Sequence, residues 1–582
     1  MKRQLNSAET TAHATMSSTV RTPTPGGSSV DEVARWLGRF MRMVLATFIV
    51  ALSGLPSIVN AQASDPTSTA NLLGSVHLAN SCDPAVKPAF DRGVALLHSF
   101  WFSAAIETFN EVLERDPSCA MAEWGIALSE WSNPFGGYRS PQAVLAGAAA
   151  VERAKELGFK TERERAYVMA VDQLYKDSGS TSEAARERAY ETAMAEVTAS
   201  YPKDIEARVF YALAIDQDVD PTDKSYAQRL KAGAILEKEF AKQPNHPGIA
   251  HYIIHTYDVP PLASRSLVAA RRYATIAPDA PHALHMPSHT FTRLGLWEES
   301  IDANVRSAGA AAEDPSAAAE QLHAQDYVVY AFLQTGQDEA ARAVVGSIGP
   351  IGARISSAAP GNAAPPTAGY YARAAMPARY AIERDAWNEA AALQPHETPF
   401  PFVDSVTYFA RGLGAARIGD VSAAVNDRDK LAQLRDALLA SKDLYWAGQV
   451  AIQQLEVAAW IAFDEGHQGD AVSTMQEAAL KEDATDKSAI TPGPLKPARE
   501  LLGEMLLRLD RPSEALEEFE SVLQKEPNRF RATAEAAEAA NALGDQTKTR
   551  MYQRRLVKLG VHGDTPAREE IQEARLSLTR DR

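Results

Sequence analysis

Apolar residues recur along most of the chain at the spacing of an α-helix. In successive windows they occupy positions i, i+3, i+4 and i+7. Many of these windows are rich in alanine, and segments that alternate polar and apolar residues are sparse. This period favours helices that each bury one face. We therefore predict an all-α protein built as an array of helical hairpins.

The pattern of the hairpins repeats along the chain. Two segments near opposite ends carry a glycine, an alanine, a phenylalanine and a proline, at identical offsets of 12, 16 and 24 residues from the glycine. They are Gly93, Ala105, Phe109 and Pro117 in one segment and Gly503, Ala515, Phe519 and Pro527 in the other. The glycine admits a close neighbour, the aromatic ring packs the second helix against the first, and proline opens the next repeat. This spacing resembles the tetratricopeptide repeat (TPR) family, and the resemblance implies a TPR-type solenoid.

The repeat continues between these two segments with more drift. Pro244 and Pro278 are 34 residues apart, and each closes an apolar helical stretch. An offset of 90 residues aligns 285–300 (HMPSHTFTRLGLWEES) with 375–390 (AMPARYAIERDAWNEA). One ancestral unit has therefore been copied and has diverged, as in other repeat arrays.

Two segments interrupt the helical pattern. Residues 346–369 are rich in Gly, Pro and Ser, and we predict a linker or long loop there. Residues 484–496 predict a shorter loop before the last repeats. This divides the chain into an N-terminal TPR-like array over 82–345 and a C-terminal one over 370–575.

The first 61 residues have the features of an export segment. An apolar run covers 43–55, Arg35, Arg39 and Arg42 precede it, and small residues end at Ala61. The run falls short of the ~20 residues of a membrane-spanning helix and matches a secretory signal. The polar stretch in front of it is unusual for such a signal. Either Met41 or Met43 is the true start, which we favour, or the segment is a retained anchor. We predict a periplasmic or secreted protein without a membrane span after cleavage.

Charge and composition exclude several classes of partner. The hydrophobic content of 45% and the charged content of 23% are those of a soluble globular chain. The formal net charge is −16. An acidic surface repels nucleic acids and anionic membranes at long range, so neither is expected as a partner.

Two cysteines lie in the predicted mature chain, and they bracket one helical hairpin. Cys82 precedes its first helix and Cys119 follows its second. The two ends of an antiparallel helix pair are neighbours, so a disulfide is geometrically natural in an oxidising compartment. The alternative is a pair of buried thiols.

Histidines recur with the period of the repeat. Counted from Pro247 and Pro281, the fifth and ninth places of two successive repeats are all histidine, and a further step of 34 residues reaches His323. These places lie on the first helix of a hairpin, which the TPR resemblance assigns to the concave wall. Spacing of four puts both members of a pair on one helix face. The four histidines are His251, His255, His285 and His289.

Other polar and aromatic residues fall on the same predicted inner face. For His98 and Trp124, packing inside the core is the alternative interpretation. Arg379 takes the place of His289 in the copy at offset 90. The predicted groove residues are His98, Trp124, Asp216, Asp258, Arg293, His323, Asp326 and Arg379.

The histidine pairs permit a metal site. Neutral imidazoles on facing helices are good ligands for Zn or Cu, and Asp258 or Asp326 could act as a ligand or accept a ring N–H. Pro287 removes a helix hydrogen bond between His285 and His289, so we expect the second pair to have the weaker geometry. The metal-ligand hypothesis comprises His251, His255, His285 and His289.

The same residues permit a groove without metal. Arg293 and Arg379 could then bind the carboxylates of an acidic or extended peptide. A third alternative is hydrogen bonding between helices with no ligand.

The sequence assigns no catalytic residue. It contains no Walker loop, no GxGxxG after a strand, no HExxH and no GxSxG. Blocks such as HYIIHTYD, HMPSHTFTRLGLWEESI and TPGPLKPARELLGEM, within residues 82–560, resemble a group of exported bacterial TPR proteins without established activity. Arg499 stands where members of that group often have His. The function that we predict is an exported TPR scaffold that binds a protein, peptide or small ligand in its concave groove. The alternative is a metalloprotein or metalloenzyme.

Overall fold

The computed structural model describes residues 72–136, 139–356 and 363–580, and these residues form α-helices, short 3₁₀ turns and loops without a β-strand. Residues Ala70–Arg582 form one compact unit. The predicted signal segment, residues 1–61, lies outside the described residues. Within the described part, none of the helices has the length and apolar character needed to span a bilayer.

The helices follow one another in antiparallel pairs. The first thirteen are α1 Lys87–His98, α2 Phe102–Arg115, α3 Ala120–Trp131, α4 Pro141–Leu157, α5 Glu162–Tyr175, α6 Glu183–Ser200, α7 Ile205–Gln217, α8 Ala227–Phe240, α9 Pro247–Thr256, α10 Leu267–Ile276, α11 Pro281–His285, α12 Pro287–Arg293 and α13 Trp297–Ala312. They are followed by α14 Ala318–Gln334, α15 Asp338–Gly352, α16 Pro366–Ile382, α17 Trp387–Ala391, α18 Pro401–Arg417, α19 Val421–Ala440, α20 Leu444–Asp464, α21 Gln468–Asp483, α22 Ala498–Arg508, α23 Pro512–Lys525, α24 Phe530–Ala542, α25 Gln546–Leu559 and α26 Glu569–Arg580.

The predicted glycine–aromatic packing holds the hairpins together at both ends of the array. A Cβ atom added to Gly93 in α1 would lie 2.8 Å from the ring of Phe109 in α2. At Gly503 in α22 the same atom would lie 2.4 Å from the ring of Phe519 in α23. Both rings are fully buried. Only glycine allows this approach, so the predicted all-α, TPR-type fold is confirmed.

The loop predicted over 346–369 is shorter in the structure. Helix α15 continues to Gly352 and α16 already begins at Pro366. Ile351 is buried among apolar side chains of neighbouring helices, which stabilises the last turn of α15 in spite of Pro350. Pro366 lies in the first turn of α16, where a missing N–H has no cost.

The loop predicted over 484–496 crosses to the other half of the array, and we call it the crossing loop. Lys487 donates to Asp258 at 3.0 Å, and the main-chain oxygen of Thr491 accepts from the hydroxyl of Tyr327 at 3.2 Å. Arg379 donates to three acceptors of the loop: Thr491 Oγ1 at 2.8 Å and the main-chain oxygens of residues 493 and 494, both at 2.9 Å. The loop therefore covers helices α12, α14 and α16.

Cys82 and Cys119 are joined by a disulfide. It ties the segment before α1 to the first residue of α3, across the first hairpin.

Candidate metal centre

Six histidines from four helices meet in the interior. Helix α9 supplies two of them, α11 supplies two, and α12 and α14 supply one each. Every one of these side chains is at most 8% exposed. They are His251, His255, His282, His285, His289 and His323.

Three of these rings converge on one point. The Nε2 atom of His251 lies 3.1 Å from Nε2 of His255 and 3.0 Å from Nε2 of His282. One nitrogen from each ring falls within 4.8 Å of the other two. Four ligands about 2.0 Å from one ion in a tetrahedron would lie about 3.3 Å apart, close to the observed separations. We call this set triad A.

The other three rings form a second set, triad B, made of His285, His289 and His323. Their nitrogens also fall within 4.8 Å of one another, and Nε2 of His285 lies 3.0 Å from Nε2 of His289. The rings of His282 and His285 are 5.9 Å apart between centroids, as are those of His255 and His289. The two triads are therefore direct neighbours.

Hydrogen bonds fix the tautomers of the facing rings in triad B. Nδ1 of His289 lies 2.9 Å from a carboxylate oxygen of Asp258, so this nitrogen carries the proton. Nδ1 of His285 lies 2.6 Å from Oδ1 of Asn304, whose amide nitrogen donates to the carbonyl of Ser300. This nitrogen therefore also carries a proton. In both neutral rings Nε2 bears a lone pair, and the two lone pairs face each other at 3.0 Å.

The same reasoning applies to the centre of triad A. Nδ1 of His251 donates to the main-chain oxygen of His98 at 2.7 Å. Its Nε2 is then an unprotonated acceptor, approached by the Nε2 atoms of both His255 and His282.

The rings are neutral because they are buried. Burial lowers the pKa of His251 and of His323 to about 3. Burial, reinforced by the neighbouring histidines, lowers the pKa of His255, His282 and His285 well below the usual value. Protonation therefore does not relieve the facing lone pairs, and metal ligation requires this neutral form.

Asp258 is held as an anion beside triad B. Burial opposes its ionisation, but Lys487 and Arg293 hold its pKa well below the usual range. Arg293 donates to Asp258 Oδ1 at 2.8 Å. The carboxylate thus orients the ring of His289 from behind, as outer carboxylates do for metal-bound histidines.

Pro287 does not weaken the second histidine pair, and the expectation that it would is wrong. It separates α11 from α12, but Met286 keeps helical angles of φ −53° and ψ −35°. The chain keeps its direction through the break, so His285 and His289 remain one turn apart.

His282 is the ligand candidate that the sequence prediction missed. The period of 34 residues selects positions four apart in each repeat and passes over it. Its spacing of three from His285 also places it on the same helix face, which is the signal that could have identified it.

Two predicted groove residues lie in the packed core. His98 is fully buried between Glu206, 2.9 Å from Nε2, and the hydroxyl of Tyr252, 2.9 Å from Nδ1. Trp124 packs edge-on against Tyr167. The alternative of packing inside the core describes both side chains.

His98 also belongs to a separate buried cluster with Glu206 and His246. The second oxygen of Glu206 lies 2.9 Å from Nε2 of His246, and Nδ1 of His246 accepts from the N–H of Ile249. Every nitrogen in this cluster has a partner, so hydrogen bonding explains it without a metal.

Three further predicted groove residues form internal ion pairs. Asp216 accepts from Arg229 at 3.2 Å, and burial raises its pKa to about 6 in spite of that partner. Asp326 accepts from Arg379 at 2.9 Å, and both side chains are fully buried. The concave face near the histidines is therefore closed by the crossing loop and is not an open groove.

Comparisons with known proteins give no functional assignment. No family model matches the chain, and no curated protein matches it. The solved structure of the APC/C hetero-tetramer Cut9-Hcn1 is similar, with 10% identity and a TM-score of 0.27 over 84% of this chain and 96% of that chain. The TPR domain of P58(IPK) gives 12% identity and a TM-score of 0.20 over 85% and 98%. Likeness of this degree carries no information about function.

Proposed function

We propose that the protein binds a pair of metal ions, one in triad A and one in triad B. The observation that carries the proposal is the 3.0 Å separation between the Nε2 atoms of His285 and His289. Asp258 and Asn304 hold the protons on the opposite side of these two rings, so no hydrogen bond joins the two nitrogens. A cation between them turns a repulsive contact into two coordinate bonds.

Copper fits the two triads better than zinc. All six ligands are neutral imidazoles, and neither triad contains a carboxylate. A buried site without anionic ligands disfavours high charge, so two Cu(I) ions cost less desolvation than two Zn²⁺ ions. Copper(II) also binds such nitrogen ligands more tightly than zinc.

The chain's own residues would position such a pair and exclude water from it. Asp258, Asn304 and the carbonyl of His98 orient three of the rings, while the crossing loop closes the centre over triad B. A copper pair supplies electron-transfer and oxidation chemistry when bound. An oxidoreductase is accordingly the enzymatic form of this proposal.

Metal content tests the proposal directly. The protein is purified without a histidine tag, stripped with a chelator, and titrated separately with Cu(I) and Zn²⁺. We expect two copper ions per chain after gel filtration, and weaker uptake of zinc. Uptake of neither metal would contradict the proposal, and tighter binding of zinc would overturn the choice of copper.

A binding scaffold remains the second proposed function, in a narrower form. Arrays of this type commonly bind partners on a concave surface. Here the predicted groove residues are buried, so the histidines do not offer a peptide groove. A small ligand in a cavity beside the crossing loop is the version that the geometry favours.

Export of the protein is also part of the proposal. The Cys82–Cys119 disulfide is of the kind that persists in oxidising compartments, and the apolar run over 43–55 has the features of a signal. We expect N-terminal sequencing of the protein from its native cells to begin at Gln62. An intact N-terminus on protein from the cytoplasmic fraction would exclude this.

A further inference from the structure

A cavity of about 340 Å³ lies on the side of the crossing loop where Arg293 and Lys487 approach it. Helices α20 and α21 and the loop form most of its wall. The volume is at the lower end of the range for small-molecule sites. No histidine of the two triads lines it, so it is a separate site.

Each cation in the wall of this cavity already has an anionic partner. Lys224 pairs with Asp486, Arg293 and Lys487 with Asp258, Lys496 with Glu500, and Arg499 and Lys525 with Asp483. An anionic ligand would have to break one of these pairs. The wall is therefore poorly suited to a carboxylate or phosphate.

Two carboxyl groups in the wall have no such partner. Glu456 and Glu482 both line the cavity, and no lysine or arginine in the described ranges forms an ion pair with either. Oε2 of Glu482 accepts from the main-chain N–H of Ala498 at 2.9 Å. Oε1 of Glu456 is buried and has no hydrogen-bond partner, in a side chain that is only 2% exposed.

Gln453 adds a third acceptor. It precedes Glu456 by three residues on α20, on the same helix face, and its Oε1 is also buried without a partner. The cavity thus offers an excess of hydrogen-bond acceptors. A buried acceptor without a donor costs free energy, and the donor that satisfies it stabilises the protein.

The electrostatics of the two carboxyl groups agree with a missing positive charge. Burial, and then the charge of Glu482, raises the pKa of Glu456 well above the usual value. Burial raises the pKa of Glu482 to about 7.

Aromatic rings complete the wall. Tyr371, Tyr445 and Trp446 line the same cavity, and the last two are in edge contact with centroids 5.1 Å apart. Aromatic faces attract cations and bury apolar carbon. The site therefore combines acceptors for N–H groups with surfaces for a hydrocarbon portion.

We propose that this cavity binds a small primary ammonium compound. Its charged group would lie between Glu456 and Glu482, with a third N–H reaching Gln453 and its hydrocarbon part against the aromatic rings. The geometry of an ammonium group, with three donors and no acceptor, matches this set.

Isothermal titration calorimetry with phenethylammonium chloride tests the proposal, with 2-phenylethanol as the neutral control. We expect the ammonium compound to bind at one site per chain and the alcohol to bind at least about tenfold more weakly, because a charged hydrogen bond is lost. Equal affinities would overturn the proposal.

Substitution locates the site. Glu456→Gln keeps the shape of the side chain and is expected to weaken binding of the ammonium compound by at least about tenfold. Glu477→Gln, an exposed change on α21, is the matched control and should bind as the wild type does. Should Glu456→Gln fail to fold, Glu482→Gln replaces it, with the same expected loss. Unchanged binding in a folded variant would overturn the assignment.

The result is independent of the metal proposal. The titration is carried out on both copper-loaded and chelator-treated protein, since no triad residue lines the cavity. Binding of the ammonium compound by protein that takes up no metal would refute the metal centre and leave this site intact.

Discussion

Replacing His282 by alanine is expected to lower the copper content from two ions per chain to one. The change removes one of three converging nitrogens from triad A and leaves triad B complete. A two-histidine remnant should bind its ion more than about a hundredfold more weakly, a larger effect than an outer-shell substitution causes. Metal analysis after equilibration with excess copper and gel filtration measures the change.

Two further variants make this result specific. His289→Ala should also leave one ion, but in triad A, so that His282→Ala combined with His289→Ala should retain none. His467→Ala, at an exposed site far from both triads in sequence, should retain two ions. Two ions retained by a folded His282→Ala variant would show that triad A is not a ligand set.

Replacing Arg379 by methionine is expected to lower the free energy of unfolding by about 3–5 kcal/mol. The change leaves the carboxylate of Asp326 buried without its cation, since both side chains are fully buried. It also removes the hydrogen bonds that anchor the crossing loop at Thr491 and its neighbours. Urea denaturation followed by circular dichroism measures the loss.

The double variant Arg379→Met with Asp326→Leu separates the two contributions. It removes the unpaired charge, so it should recover part of the lost stability and leave only the cost of the freed loop. Arg306→Met, which breaks an exposed pair with Asp302, should change stability little. A loss no larger in Arg379→Met than in this control would contradict the structural role of the buried pair.

The repeat made the fold predictable from local patterns. Gly93 and Phe109 are only 16 residues apart, and their contact is decided within one hairpin. The length of the 346–369 segment was harder to predict, because the last turn of α15 depends on the burial of Ile351 against other helices. Composition alone cannot report such a tertiary contact.

The candidate site was predictable only in part. The spacing of 34 residues selected His251, His255, His285 and His289, which do meet in the interior. Their division into two triads depends on His282 and His323, which arrive from the turn of one helix and from another helix. Covering by Lys487 depends on a contact across 229 residues, which no local pattern encodes.

The crossing loop has a consequence for biogenesis. The carboxylate that orients His289 is neutralised in part by a lysine that is translated 229 residues later. An emerging chain can fold its first hairpins while the imidazoles still face water, and enclosure of the centre waits for nearly complete synthesis. Insertion of the ions is therefore easiest before the loop docks, and after docking their escape requires that loop to be released.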